Sequence, residues 1–589
     1  MKFNKILKMI FTALILAFAF GCSDSDSDKA KDYKLTIAHV SDTHAHVEPT
    51  EVSLKFDGTT TTKVKVGGFA KLASEITLLR NDKNLLFLHA GDMFQGTLFF
   101  TQYKGIESKE LFGDMGLDVM TLGNHEFDDA NQTLTNFVNS TVGNFDFVSA
   151  NINFSSEPAL QSKVSPYKII EKDGGKIGVI GITTVETPTI SSPGNLQFSN
   201  EKTAVENAVA ELKNQGINKI VVLSHAGYDT DIEIAESVSD IDVIVGGHDH
   251  YLMGDHSAAG LTNESAYPMV FDHDGVKTLY VTSWEWAKVL GVLDITFDED
   301  GKIKTYNGKS LLLMSDIQTD YTQKNSEGTY VAVNDSIWNS ITSIVNENAD
   351  LVMIAEDATM ASRIAELKEP IQQLYEVKVA DVNEDLWHVR VPGTEHPTAG
   401  LLEHGSYIAP IVCDGMLWKA NDFGYNADIA IQNAGGVRVD IESGDLTVGR
   451  VYELMPFGNT LAILDIKGSD LKNVLEEAIE GAIGTKGTGA FPYVAGCKFT
   501  AKASNAAGER IISLEIGSDN SGWTDYDPLH TYRIVTNAFI GTGGDGYASF
   551  ANNSYYYDSG NVDAEVFQSY CEHMGSLSRN PEVRVTLEY

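Results

Sequence analysis

At 589 residues, with 43% hydrophobic and 21% charged side chains, the chain has the composition of a folded globular protein long enough for two self-supporting domains, and neither disorder nor a multispanning membrane protein fits it. Its formal charge of −39 argues against wrapping nucleic acid, because such a surface repels a polyphosphate over distance. A small phosphorylated ligand stays compatible if bound metal ions reverse the potential locally.

Residues 1–21 read as a signal peptide: Lys2, Lys5 and Lys8 precede the apolar stretch 9–20. That stretch is shorter than the ~20 residues of a membrane-spanning helix. Cys22, after Gly21 and before the polar tract 23–28, looks like a bacterial lipobox cysteine, so residues 22–33 are expected to tether a lipid-anchored chain in the cell envelope. Simple secretion with an incidental cysteine is the alternative. No later apolar run is long enough to span a bilayer, so the expected membrane contact is that anchor alone, with the protein on the outer membrane or in the periplasm. Cys413, Cys497 and Cys571 lack metal-site spacing and are expected in the core.

From residue 34 to 317 short apolar runs alternate with helical stretches. The runs 34–40, 84–89, 118–122, 219–223 and 242–245 read as strands, and 69–79 and 201–214 have helical periodicity. This alternation predicts a layered α/β domain with buried sheets. Residues 318–373, poor in glycine and apolar at Ile337, Ile341, Ile344 and Val345, read as a helical connector. A second mixed α/β domain occupies 374–589, with a strand over 461–466 and a helix over 471–479.

Polar residues suited to metal chemistry follow directly after five of the predicted strands: Asp42 and His44, Asp92, Asn124 to Glu126, His225, and His248 to His250. One histidine after a strand is ordinarily a loop residue satisfied by its neighbours. Five such fragments are another matter, since the strand ends of an α/β sheet share one edge and gather distant residues into one crevice. Carboxylates, an amide and imidazoles without cysteine suit hard or borderline divalent ions rather than a thiolate zinc site. Two ions ~3.5–4 Å apart could share one carboxylate. Asp92 is the natural bridge.

These fragments, as Ser41-Asp-Thr-His44, Gly91-Asp92, Gly123-Asn-His-Glu-Phe-Asp128, Ser224-His225 and Gly246-Gly-His-Asp-His250, resemble the calcineurin-like metallophosphatase superfamily. Asn433-Ala-Gly-Gly-Val-Arg438, Pro456-Phe-Gly-Asn459 and Asn537-Ala-Phe-Ile-Gly-Thr-Gly-Gly-Asp-Gly546 narrow the resemblance to its bacterial and animal 5'-nucleotidases, over nearly the whole mature chain. The resemblance implies one ion, zinc or manganese, on Asp42, His44, Asp92 and His250, and a second on Asp92, Asn124, His225 and His248. Many bacterial relatives have glutamine where His250 stands. It further implies attack on phosphate by metal-activated water, and a His125–Asp128 pair supplying the general acid or hydrogen-bond donor. In the second domain it implies that Phe457 and Phe539 sandwich a base, that Asn459 contacts it, that Asp545 accepts from ribose hydroxyls and that Arg438 grips phosphate.

One departure bears on specificity. Relatives commonly place further arginines before the helix containing Trp418, where this chain has Arg390 alone, with His396 and His404 nearby. These three are expected as additional substrate contacts. The predicted function is hydrolysis of nucleoside 5'-monophosphates; phosphodiester or pyrophosphate hydrolysis of cyclic nucleotides, UDP-sugars or NAD is the alternative, and nucleotide capture without turnover is the non-enzymatic one. The glycines at 541–546 lack the Gly-Lys-Ser/Thr ending of a phosphate-binding loop, which argues against a kinase.

Overall fold

The computed structural model describes residues 32–589 except 264, 274, 327–329 and 486, so the signal and lipid-attachment expectations, Cys22 included, lie outside the described residues. The first domain opens on β1 (Tyr33–Val40), followed by α1 (Phe69–Asp82), β2 (Leu85–His89) and β3 (Val119–Thr121); the three strands run parallel in that order. A second parallel array follows: β4 (Gly175–Thr183), then, after α2 (Glu201–Asn214), β5 (Ile220–His225), β6 (Val243–Val245) and β7 (Val276–Val281). Strands β8 (Val289–Phe297) and β9 (Ile303–Ser315) then return antiparallel to the first sheet, β8 against β1 and β9 against β8.

Side-chain alternation stacks the two sheets. Leu35, Ile37, Leu86 and Leu88 from one meet Ile177, Val179, Val221, Leu223, Val243 and Val245 from the other in a single apolar layer. The opposite faces are covered by helices: Phe87 and Val40 pack on the α1 side, Ile180, Val222 and Ile244 on Val205, Val209 and Leu212 of α2. Helix α2 forms because Asn200 caps its Thr203 N–H, Glu201 sits in its first turn and its apolar residues recur on one face. A buried leucine such as Leu223 contributes on the order of 1.5–3 kcal/mol by transfer alone. The result is a four-layer α-β-β-α sandwich with the carboxyl ends of both parallel arrays at one edge.

Residues 318–373, expected to be a helical connector, contain α3 (Asp335–Glu347) and α4 (Ala358–Leu374), but also three short strands. Tyr321–Lys324 pairs with Thr62–Val66 and with Tyr330–Ala332, and Leu351–Ile354 pairs with β9. This stretch therefore extends the first domain's sheet, and α4 makes the passage to the second domain. There α5 (Ala409–Asp422) leads to β10 (Ile429–Asn433), β11 (Thr460–Lys467), α6 (Gly468–Glu480), β12 (Thr531–Asn537), β13 (Tyr555–Val562) and α7 (Asp563–Met574). A five-stranded sheet has the order Pro492–Ala495, β10, β12, β11, β13. Cys413, Cys497 and Cys571 are buried and unpaired among the described residues. Among those residues no helix is long and apolar enough to cross a membrane.

Candidate active site

The edge where β1, β2, β3, β5 and β6 end brings the predicted ligands together. Asp42, His44 and His250 form one group and Asp92, His225 and His248 a second, with the ligand atoms of each group within 4.8 Å of one another. Asp92 lies between them: its Oδ2 is 2.9 Å from His225 Nε2 and 3.9 Å from His44 Nε2. Asn124, fully buried at the end of β3, has neither side-chain atom hydrogen-bonded. Asp42 Oδ2 and His44 Nε2 are likewise buried without a hydrogen-bond partner. Buried donors and acceptors without partners are costly unless something else binds them. This set of oxygens and imidazole nitrogens fits two divalent ions sharing Asp92.

The ring orientations support that fit. His44 donates its Nδ1–H to Phe94 O at 2.8 Å and His225 donates its own to Ala90 O at 2.7 Å, which leaves each Nε2 lone pair facing the site. Backbone amides fix the carboxylates, His125 N–H donating to Asp92 Oδ1 and His248 N–H to Asp42 Oδ1, both at 3.0 Å. Burial opposes ionisation of Asp92, yet His225 and His125 outweigh it and hold the carboxyl well below its ordinary range. The backbone is strained here: Asp42, His44, Asp92, His248 and His250 all have φ between 44° and 82°. Such conformations cost of order 1–3 kcal/mol each and cluster where geometry serves function.

Glu126, which the sequence motif contains but to which the sequence reading gave no role, anchors this strained loop. Its carboxylate accepts from the N–H groups of Gly123, Asp92, Met93 and Phe94 at 2.6–3.1 Å, tying the end of β2 to the end of β3. Gly123 must be glycine, since a Cβ there would sit 2.1 Å from Asp92 Oδ1.

His125 faces the same pocket with its Nδ1 2.5 Å from Asp128 Oδ2. Asp128 is itself held by Ser191 Oγ at 2.6 Å and Gln95 Nε2 at 3.3 Å. Burial disfavours a charged ring, but Asp128 and Asp92 overcome it and raise His125 to about 10, the state of a proton donor. The second domain covers this histidine: a Cβ on Gly560 would lie 2.2 Å from His125 Nε2, and the Tyr557 ring centroid is 6.3 Å from that of His248.

The predicted substrate residues gather elsewhere, on the second domain. Arg438 lies 5.4 Å from the Phe457 ring centroid and donates to Gly435 O, and Arg390 is near enough to lower its pKa further, after burial. Asp545 Oδ2 accepts from Asn433 Nδ2 at 2.9 Å, and the preceding Gly544 packs on Phe539. Phe457 and Phe539 are each 47% exposed, an unusual state for large aromatics that pack a core. Asn459 is turned instead to the buried carboxyl of Asp563.

Of the two histidines expected to join them, His396 presents no free nitrogen to this patch. His396 is buried against Trp387; its Nδ1 accepts from Thr398 and Ala399 N–H and its Nε2 donates to Asp440. That pattern pins a hairpin. His404 faces the segment 579–585. Sequence reasoning also missed Glu285, whose signal was a further strand end: β7 closes at Val281, and Ser283, Trp284 and Glu285 follow within the same edge.

Residues 35–252 match the calcineurin-like phosphoesterase family and residues 388–552 the 5'-nucleotidase C-terminal domain. The chain is 36% identical over 540 residues to a probable 5'-nucleotidase of Treponema pallidum (strain Nichols), covering 90% of this chain and 89% of that one. It is 33% identical over 573 residues to the NAD 5'-nucleotidase of Haemophilus influenzae, covering 95% and 92%. Its fold superposes on the solved structure of Haemophilus influenzae NAD nucleotidase with a TM-score of 0.79 at 33% identity, over 95% of this chain and 99% of that one. Strand-end ligands for two ions and a second domain of matching type lead to one conclusion: the chain belongs to the 5'-nucleotidase family of metal-dependent phosphohydrolases.

Proposed function

We propose that the chain hydrolyses nucleoside 5'-monophosphates to nucleoside and phosphate, at the cell envelope and anchored by lipid on Cys22. The observation that carries this reading is the pairing, in one chain, of a two-ion ligand set with an exposed patch of two phenylalanines, an arginine pair and Asp545. Asp42, His44, Asp92 and His250 would hold one ion and Asp92, Asn124, His225 and His248 the other, and the nitrogen and oxygen donors suit zinc or manganese. The ions, when bound, supply Lewis-acid activation of water and neutralise phosphate charge.

The chain's own groups do the rest. His125, with Nδ1 held by Asp128, offers its Nε2 proton to a phosphate oxygen or the departing alkoxide. Arg438 and Arg390 grip the phosphate, Phe457 and Phe539 stack the base, and Asp545 accepts from the ribose. Gly560 covers His125 Nε2 and Asn459 is engaged by Asp563, so turnover requires the second domain to shift and bring its patch to the ions.

Pyrophosphate hydrolysis of NAD is the second reading, favoured by the likeness to a protein named for that substrate. The test is catalytic efficiency on AMP, UMP, NAD, UDP-glucose, a cyclic nucleotide and an aryl phosphate, for the natural chain and for Arg438→Ala. Preference for AMP or UMP, reduced in the variant, is the expected result; preference for NAD or UDP-glucose would replace the first reading with the second. Intact mass of the native protein tests the lipid on Cys22.

A further inference from the structure

The turn between β7 and β8 is built around a buried charge chain that the ligand set does not include. Glu285 lies 2.9 Å from His250 Nδ1 through Oε2 and 2.5 Å from Lys288 Nζ through Oε1, with all three side chains at most 16% exposed. The Lys288 ammonium is clasped between the indoles of Trp284 and Trp286, 4.1 Å from each centroid. Trp284, Trp286 and Ala287 all have φ between 52° and 61°, so this short turn stores strain. Its backbone is also bonded to the site: Trp286 N–H donates to Asp42 O at 2.7 Å and Trp284 N–H to Tyr251 O at 3.2 Å, beside two predicted ligands. Trp286 stacks at 4.2 Å on His46, close to His44.

We infer that Glu285 is a positioning residue for the first ion: it accepts the Nδ1 proton of His250 and so leaves the Nε2 lone pair to the metal, while Lys288, held by its two indoles, supplies the counter-charge. His44 and His225 use neutral backbone carbonyls for the same purpose. A carboxylate acceptor makes the imidazole a stronger donor, and His250 Nε2 already points to the site, 3.5 Å from Asp42 Oδ1. A surface ion pair would need neither the strained turn nor the aromatic clasp.

The inference rests on the two-ion reading, and the test separates the two. Manganese or zinc would be titrated by chelator competition into four proteins: the natural chain, Glu285→Gln, His250→Ala and the double variant. The natural chain should hold two ions, and Glu285→Gln should weaken one of them by about 10–100-fold while sparing the other. In the His250→Ala background the same substitution should change affinity by less than about 2-fold, because its target is gone. Unchanged affinity in Glu285→Gln, or an equal loss with and without His250, overturns the inference. Fewer than two ions in the natural chain would instead remove the two-ion reading. If circular dichroism shows Glu285→Gln to be misfolded, Lys288→Met is read in the same two backgrounds, with a smaller loss expected and the same dependence on His250.

Discussion

The two ends of this molecule are built on opposite principles. At the metal end the candidate ligands are buried, strained, and locked by Glu126, Phe94 O and Ala90 O, with atoms that make no hydrogen bond facing one another. At the proposed nucleotide end Phe457 and Phe539 are exposed and the polar contacts are substitutable: Arg438 on Phe457, Asn433 on Asp545, Asn459 on Asp563. Preorganisation serves charge stabilisation, where misplacement is costly. Adaptable exposed aromatics would serve selection, since every base offers a face to stack on.

If the contrast holds, breaking the metal end should abolish activity on every substrate. Asp92→Asn, which alters the shared ligand, is expected to lower metal content at both positions and take activity on AMP and on an aryl phosphate alike to background; retention of full activity would contradict it. His125→Ala should keep both ions and slow turnover by roughly 10²-fold or more, the scale of a positioned proton donor. Metal analysis beside kinetics checks this, and loss of an ion without a kinetic defect after reconstitution would reassign the residue.

Damage at the nucleotide end should be substrate-dependent. Phe457→Ala or Phe539→Ala should lose about 1–3 kcal/mol of base stacking, read as a fall in kcat/KM for AMP with little change for an aryl phosphate. Equal losses on both substrates would make the rings core residues. The smallest effect lies between the two ends, where Glu565 accepts from Thr101 of the first domain at 3.0 Å. Burial raises this carboxyl from its ordinary 4.5 to about 7. A raised folded pKa gives stability that is full below pH 4.5 and fades as pH rises through about 7. Glu565→Gln, which does not titrate, should flatten the pH dependence of Tm over that window by a few degrees (~2–4 °C per kcal/mol); an unchanged slope would assign the dependence to other groups.

Legibility followed the same division. The candidate metal residues were readable because each stands just after an apolar strand, so sequence order alone places them on one edge. Glu126 and Glu285 also follow strands, but that position does not report their work, which is done on backbone amides and on another residue's ring. The short strands at 321–324 and 351–354 read as helical connector because they borrow their ladders from Thr62–Val66 and β9, outside the connector, and 330–332 only adds to the first of them. His396 sat among the predicted substrate contacts, yet its nitrogens are consumed by a local hairpin and Asp440.

Whether two ions on the strand-end ligands carry nucleotide hydrolysis is decided by stripping the protein with chelator and adding back manganese or zinc while ion uptake and AMP hydrolysis are followed together. Uptake of two ions per chain is expected, with hydrolysis appearing only as the second is bound. Saturation at one ion, or AMP hydrolysis by the verified metal-free protein, would contradict it.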